Sequence, residues 1–306
     1  MSTLSATAPA KRRKHRVDAG PVSSFVELMK LKMVFHILIT TFAGYYLGSK
    51  LDVDLPRMWH TLLGTGILAI GAFALNQAIE KEYDKLMERT RERPLPTGRV
   101  GKTAALIFGC LCTVGGTAYL WMAVNPLTAV LGALTVILYA AVYTPMKRLT
   151  SLNTLVGAVP GALPPLMGWT AAQGSIGLGG ILLFAFLFFW QLPHFLALAL
   201  MYKDDYRLGG FKMLSVTDPT GEACFRHILS QTLTLVLVSL FPFVFHLSGT
   251  WYLIVALLGG GYFLLAAFSL WRRRDRAAAR ALFFVSLAYL PALLLAMAWD
   301  KAIVFI

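Results

Sequence analysis

Apolar runs long enough to cross a bilayer recur along almost the whole of this chain, and nothing else constrains its fold as much. A spanning helix needs about 20 mainly apolar residues. Such runs occupy roughly residues 33–49, 60–79, 103–123, 127–144, 154–172, 179–200, 228–247, 250–270 and 281–299. With no water in the bilayer core, the backbone must satisfy its own hydrogen bonds, so runs of this length read as helices. The pattern predicts an all-α, polytopic membrane protein with nine transmembrane helices. Of the 306 residues, 57% are hydrophobic and 14% charged, too apolar a balance for an ordinary soluble protein. No stretch remains for a soluble domain.

The formal net charge is +13. On a soluble chain that would suggest a nucleic-acid partner, but here topology places the charge. If the N-terminus is inside and the spans alternate, Lys50, Arg57 and Lys301 are the only Lys or Arg, of 28, on the outer segments. This bias predicts an N-in, C-out orientation. The basic loops then face the anionic lipid bilayer, and no nucleic acid is expected. Lys11, Arg12, Arg13, Lys14 and Arg16 form a basic cluster near the N-terminus, with no short apolar stretch and cleavage site behind it. Residues 1–24 therefore read as a disordered cytoplasmic tail, ahead of a single transmembrane domain over 25–306. A mitochondrial transit peptide is the alternative, since acidic residues are scarce there. The shortness of the tail favours a bacterial inner membrane over a mitochondrial one. Cys110 and Cys112 lie two apart inside a predicted span and face different ways. With Cys224 they read as small buried hydrophobes, forming neither a disulfide nor a metal site.

The longest loops, 80–102 and 201–227, are both charged and both inside. Long charged loops on one face of a bundle are where binding and catalysis concentrate. The first follows Asn76, Glu80 and Asp84, spaced four apart, so on a helix they share one face. Three oxygen-bearing side chains in a row suit a hard cation such as Mg²⁺, which takes carboxylates together with substrate phosphates. The plainer reading is a polar helix end paired with Lys81 and Lys85. Beyond it, Arg89 and Arg93 are again four apart and can clamp one diphosphate. Arg91 points elsewhere and reads as a lipid anchor. Lys147 and Arg148 add two cations in a short inside loop, which alone would also read as an anchor.

The second loop begins with Asp204 and Asp205 at the end of span six. This pair could hold another Mg²⁺ or share the first; the plainer reading is a solvated helix end paired with Lys203 and Arg207. Each half of the chain thus has a span that closes on carboxylates. Span five carries Pro160, Pro164 and Pro165 within a Gly- and Ala-rich run. Prolines at membrane depth need their freed carbonyls satisfied, so this segment is expected to wall a cavity rather than only to pack. His194 lies deep in span six beside Pro193. A histidine there is costly. It reads as an axial ligand to a haem iron or as a proton carrier, with a packed, hydrogen-bonded histidine as the plainer alternative.

Taken together, these residues resemble the UbiA-type intramembrane prenyltransferases, and among them the members whose acceptor is haem. The resemblance covers about residues 25–300. Its general mark is N-x-x-x-D-x-x-x-D after helix two and a second acidic motif after helix six. The more specific marks are D-x-x-M-x-R-T-x-x-R-P-L at Asp84–Leu95, Y-T-x-x-K-R-x-T-x-x-N at Tyr143–Asn153, P-G-x-x-P-P-x-x-G-W at Pro160–Trp169, and W-Q-x-P-H-F-x-x-L-A from Trp190. The chain departs at Glu80, where the pattern has Asp. It departs again at Lys30-Leu31-Lys32, where the pattern has Lys-Pro-Arg, and the acidic pair after helix six is less Asp-rich.

The resemblance implies nine helices around a central cavity, with farnesyl diphosphate bound at the cytoplasmic end and haem B as acceptor. Asn76, Glu80, Asp84, Asp204 and Asp205 would hold Mg²⁺, while Arg89, Arg93, Lys147 and Arg148 would bind diphosphate. His194 would bind the haem. A haem A synthase or an oxidase assembly factor is the partner class such a product implies. Two other readings stay open: a member of the same family with an aromatic acceptor, and a membrane transporter or haem carrier without chemistry. A non-catalytic assembly factor is disfavoured by the full metal-and-diphosphate set.

Overall fold

Every expected span coincides with a helix. The protein is seen in a computed structural model that describes residues 20–49 and 52–301. Lys50 and the basic cluster over 11–16 lie outside the described residues. The helices are α1 (Pro21–Met29), α2 (Leu31–Gly48), α3 (Leu55–Asp84), α4 (Lys102–Ala123), α5 (Pro126–Val136), α6 (Thr144–Leu149), α7 (Asn153–Gln173), α8 (Gly177–Met201), α9 (Lys203–Leu208), α10 (Leu214–Thr217), α11 (Glu222–Val244), α12 (Thr250–Arg273) and α13 (Arg276–Trp299). A π-helical turn, Ile137–Tyr143, joins α5 to α6. Seven segments are long and apolar enough to cross a membrane: α3, α4, the α5–α6 run, α8, α11, α12 and α13. The remaining two expected spans are α2, which carries Lys32 and His36 in its first turns, and the Pro- and Gly-rich α7.

α1 begins at Pro21, inside the segment expected to be a disordered tail. Proline suits a first turn, where its missing N–H leaves no bond unmade. Leu28 is fully buried against Ala74, Ala78 and Leu95, so packing against α3 orders this stretch. Residues 1–19 of that expected tail lie outside the described residues.

The long helices pack as two groups. α2, α3, α4, α5–α6 and α7 form the first, and α8, α11, α12 and α13 the second; α7 meets α8 and α13 meets α2. At one end, Gln173 bonds the Gly48 carbonyl, Asn125 the Thr170 carbonyl at 3.0 Å, Gly249 N–H the Asp300 carbonyl at 3.0 Å, and Lys301 the Tyr46 carbonyl at 2.8 Å. Trp59, Trp121, Trp251 and Trp299 stand exposed near this end, as tryptophan does at a membrane–water boundary. The basic loops gather at the other end, so the charge asymmetry of the sequence is an asymmetry of the bundle. Exposed Ile107, Leu111, Val114, Leu258 and Leu265 lie between the ends, where lipid takes the place of a protein core.

α7 runs unbroken through its three prolines. Most of it is buried, and it is packed backbone to backbone against α2. A Cβ on Gly44 would collide with the Pro165 carbonyl, and one on Gly168 with the Thr41 carbonyl. On its α2 side this segment provides tight small-residue packing. The cysteines are free; Cys224 is buried as expected, but Cys112 is only partly buried and Cys110 is exposed, so the expectation of burial fails for Cys110.

Candidate active site

The last three turns of α3 set the site. Asn76, Glu80 and Asp84 fall on one face and are buried, at 2%, 5% and 0% exposure. Asp84 is the last residue of the helix. A carboxylate there meets the negative pole of the helix dipole, where stability alone would favour a cation. Cations from elsewhere in the chain offset this. Lys147 Nζ is 2.8 Å from Glu80 Oε1, and Arg93 Nη1 is 2.7 Å from Asp84 Oδ2. The local lysines of the plainer reading do not serve: Lys85 pairs with exposed Glu82 at 2.7 Å instead. Asp84 Oδ1 is buried and has no hydrogen-bond partner. The Asn76 amide donates to Thr144 Oγ at 3.0 Å.

The π-helical turn explains how Lys147 and Thr144 arrive here. The Thr144 N–H and its hydroxyl both reach back to the Tyr139 carbonyl, the latter at 2.8 Å. A π-turn adds one residue to the helix and so rotates the residues beyond it by about 100°. The hydroxyl spends its proton on Tyr139 and is left to accept from Asn76. Tyr143 lies under Lys147, 4.5 Å from Nζ to ring centroid, and Tyr139 packs edge-on against Phe73. No periodicity in the sequence signals this turn.

Lys30 completes the basic surround. It sits between α1 and α2 with φ +51°, its ammonium 5.3 Å from the Phe73 ring centroid. Burial, reinforced by the nearby charges of Arg93 and Lys147, pushes its ammonium down to about 7. The signal that could have found it is the lysine kept at the start of the departed Lys-Pro-Arg pattern.

Other expected residues are arranged differently. Arg89 and Arg93 do not share a helical face, because the helix ends at Asp84 and residues 85–98 form turns. Arg93 turns inward to Asp84. Arg89 is exposed and lies over the rings of Tyr202 and Tyr206, at 5.2 and 5.8 Å. Arg148 stacks on Tyr83 at 4.1 Å. Arg91 is exposed as well. Asp205 Oδ1 accepts the Glu88 N–H at 3.2 Å, tying the loop after α3 to α9. Asp204 is solvent-facing, with its side chain 88% exposed and paired to Arg207. The plainer reading therefore holds for Asp204: the first turn of a six-residue helix turns it to water. Among the described residues no three His, Cys, Asp or Glu side chains form a group that could hold a metal ion.

His194 lies apart from this cluster, on α8 against α13. Its ring is sandwiched between Trp190 and Phe283, with centroids 4.8 and 4.6 Å away, and Nδ1 is 2.7 Å from Ser286 Oγ.

Breaking a buried ion pair by removing one partner costs about 3–5 kcal/mol. Lys147→Met is therefore expected to lower the thermal midpoint of the purified protein clearly, while Arg148→Ala, at the exposed rim, leaves it in place. Equal midpoints for the two variants would refute the pairing with Glu80.

The pattern of the UbiA prenyltransferase family matches residues 37–288. The protoheme IX farnesyltransferase of Solibacter usitatus is 42% identical over 276 residues, covering 87% of this chain and 94% of its own. The human mitochondrial protoheme IX farnesyltransferase is 41% identical over 270 residues, covering 88% of this chain and 60% of its own. Among solved structures, one on digeranylgeranylglyceryl phosphate synthase superposes with a TM-score of 0.77 at 16% identity, covering 92% of this chain and 98% of that one. A UbiA homologue from Archaeoglobus fulgidus bound to DMAPP and Mg²⁺ gives 0.66 at 15% identity, covering 90% and 99%. At such identities the structures speak to fold alone.

Proposed function

Because this chain belongs to the UbiA prenyltransferase family, we propose that it transfers a farnesyl group from farnesyl diphosphate to a vinyl group of haem B, giving haem O and diphosphate. The similarity to protoheme IX farnesyltransferases over most of the chain carries this reading. The domain is a single transmembrane unit that begins with α1 at Pro21, N-in and C-out in a bacterial inner membrane, with the carboxylates of α3 facing the cytoplasm.

The donor set on α3 suits Mg²⁺, a hard cation that takes oxygen ligands. It is all oxygen, buried, and carries one unpartnered carboxylate oxygen on Asp84. Asn76, Glu80 and Asp84 would hold the ion, while Asp205 braces the loop after α3 through the Glu88 N–H at 3.2 Å. When bound, Mg²⁺ neutralises the diphosphate and makes it a better leaving group. Lys147, Arg93 and Lys30 surround the same carboxylates and take up the negative charge that grows as the farnesyl carbon–oxygen bond breaks. Arg89 and Arg148, braced on tyrosine rings at the rim, draw the anion in. The electron pair of the broken bond leaves with diphosphate. The vinyl π electrons close the new carbon–carbon bond, and water adds to the remaining cationic carbon, losing a proton to leave the hydroxyl. His194 holds the haem through its iron; an aromatic acceptor would need no such ligand.

Haem extracted from membranes expressing the protein, with and without Glu80→Ala, tests the reaction. The expected result is a haem B derivative heavier by one hydrated farnesyl group, absent from the variant. No new haem, with expression intact and farnesyl diphosphate supplied, would sink the proposal. For the histidine, His194→Ala is expected to lose haem affinity and keep farnesyl diphosphate affinity, read by titrating each ligand separately. Unchanged haem affinity would remove His194 from the acceptor site.

A further inference from the structure

Ser286, on α13, makes two hydrogen bonds with only one proton to give. Its Oγ is 2.6 Å from the Phe283 carbonyl and 2.7 Å from His194 Nδ1. A serine hydroxyl has a single O–H and accepts through its lone pairs, while a carbonyl can only accept. Both contacts are satisfied together only if the O–H points to Phe283 and His194 Nδ1 carries the hydrogen. Nε2 then holds the lone pair, the form in which imidazole binds a metal. Among the described residues no hydrogen bond reaches Nε2. The same serine anchors the flanking ring, for its carbonyl accepts the Trp190 indole N–H at 2.8 Å. Trp190 and Phe283 cover the two faces of the imidazole at interplanar angles of 20° and 26°. Ser286 is fully buried and His194 7% exposed, so water does not compete for Nδ1. The tautomer follows from one residue 92 positions away in the chain, and the same residue steadies one of the two stacked rings.

We propose that Ser286 is a positioning residue for the haem acceptor: it fixes His194 in the Nδ1–H tautomer so that Nε2 is presented to the haem iron. This rests on the reading of His194 as the iron ligand. Partners of this kind typically alter metal affinity by about 10–100-fold.

The test uses the full-length protein in detergent, titrated with haem B in the absence of farnesyl diphosphate. The readouts are the haem dissociation constant and the iron–histidine stretch of the ferrous complex in resonance Raman spectra. Wild type is expected to show the stretch and His194→Ala to lose it; absence of a His194-dependent stretch in wild type overturns the ligand reading itself. Ser286→Ala is expected to keep the stretch but at lower frequency, because Nδ1–H has lost its acceptor, and to raise the haem dissociation constant by about tenfold. Farnesyl diphosphate affinity should not change. Ser286→Thr, which keeps the hydroxyl, should restore both readouts. Wild-type frequency and affinity in Ser286→Ala overturn the positioning role while leaving His194 as ligand. If Ser286→Ala does not yield folded protein, Ser286→Cys replaces it. That side chain accepts only weakly, so the same downward shift is expected, and a wild-type spectrum overturns the proposal.

Discussion

Asp84→Asn is expected to cut haem O formation by about 10²–10³-fold or more, the cost of removing one electrostatic group from a preorganised site, while the helix bundle stays folded. The substitution keeps size and shape at a position with no exposure. What changes is charge. Oδ2 is the acceptor for Arg93 at 2.7 Å, and Oδ1 is, among the described residues, the one buried carboxylate oxygen with no partner. An asparagine amide cannot neutralise Arg93, and its NH₂ cannot bind a cation. Arg93 retains 20% side-chain exposure and can take up water, so the fold survives the loss of the pair. Glu82→Gln, two residues away on the exposed face of the same helix, is the control and should leave activity intact. Product is read as extracted haem resolved by chromatography and mass. A metal titration sharpens the result: chelation should silence wild type and added Mg²⁺ restore it, with Asp84→Asn staying silent at the same Mg²⁺. Activity within a few-fold of wild type would show that the α3 carboxylates are structural.

Gly168→Val is expected to prevent the protein from accumulating in folded form. The Cβ would stand where the Thr41 carbonyl is, and the Tyr45 backbone nitrogen closes the other side at 2.6 Å. Two backbones have to part before such a side chain fits, and overpacking of even a yielding core costs about 1–3 kcal/mol. Because α2 and α7 also meet at Gly44 and Pro165, the displacement would run along the whole crossing. Gly115→Ala on α4 is the contrast. Nothing lies within 4 Å of its added Cβ, and the change should be neutral or mildly stabilising, by up to about 1 kcal/mol. Gel-filtration profiles and thermal midpoints of the two variants in detergent separate the outcomes. A monodisperse Gly168→Val protein would mean that the crossing is looser than described.

Local pattern made some of this molecule readable. The spans announce themselves by length, and the shared face of Asn76, Glu80 and Asp84 follows from four-residue spacing on a helix that does continue to Asp84. The same spacing misleads for Arg89 and Arg93, because it carries meaning only while the chain stays helical, and the Arg93-Pro94 region turns instead. Pairings between distant segments leave no local trace: Lys147 reaches Glu80 across 67 residues, after a π-turn that no periodicity reports. The prolines of α7 point to an exceptional segment but not to its use, since tight packing and a cavity wall draw on the same residue types. Asp204 and Asp205 look equivalent as neighbours, and only the fold separates the one that faces water from the one that braces the loop after α3.

The meeting of α13 with α2 has a consequence for biogenesis. A chain emerges from the ribosome N-terminus first, and early segments can fold before late ones appear. Glu80, Arg93 and Lys147 are all present once the first half of the chain has been made, so the acidic end can assemble early. The imidazole on α8 must wait for Ser286, and α2 must wait for Lys301 to bind its Tyr46 carbonyl at 2.8 Å. A nascent chain thus acquires its buried charged cluster well before its α8–α13 contact, and the bundle stays unsealed between first and last helices until translation is almost complete. A product truncated before α13 would accordingly retain the charged cluster while lacking a fixed histidine.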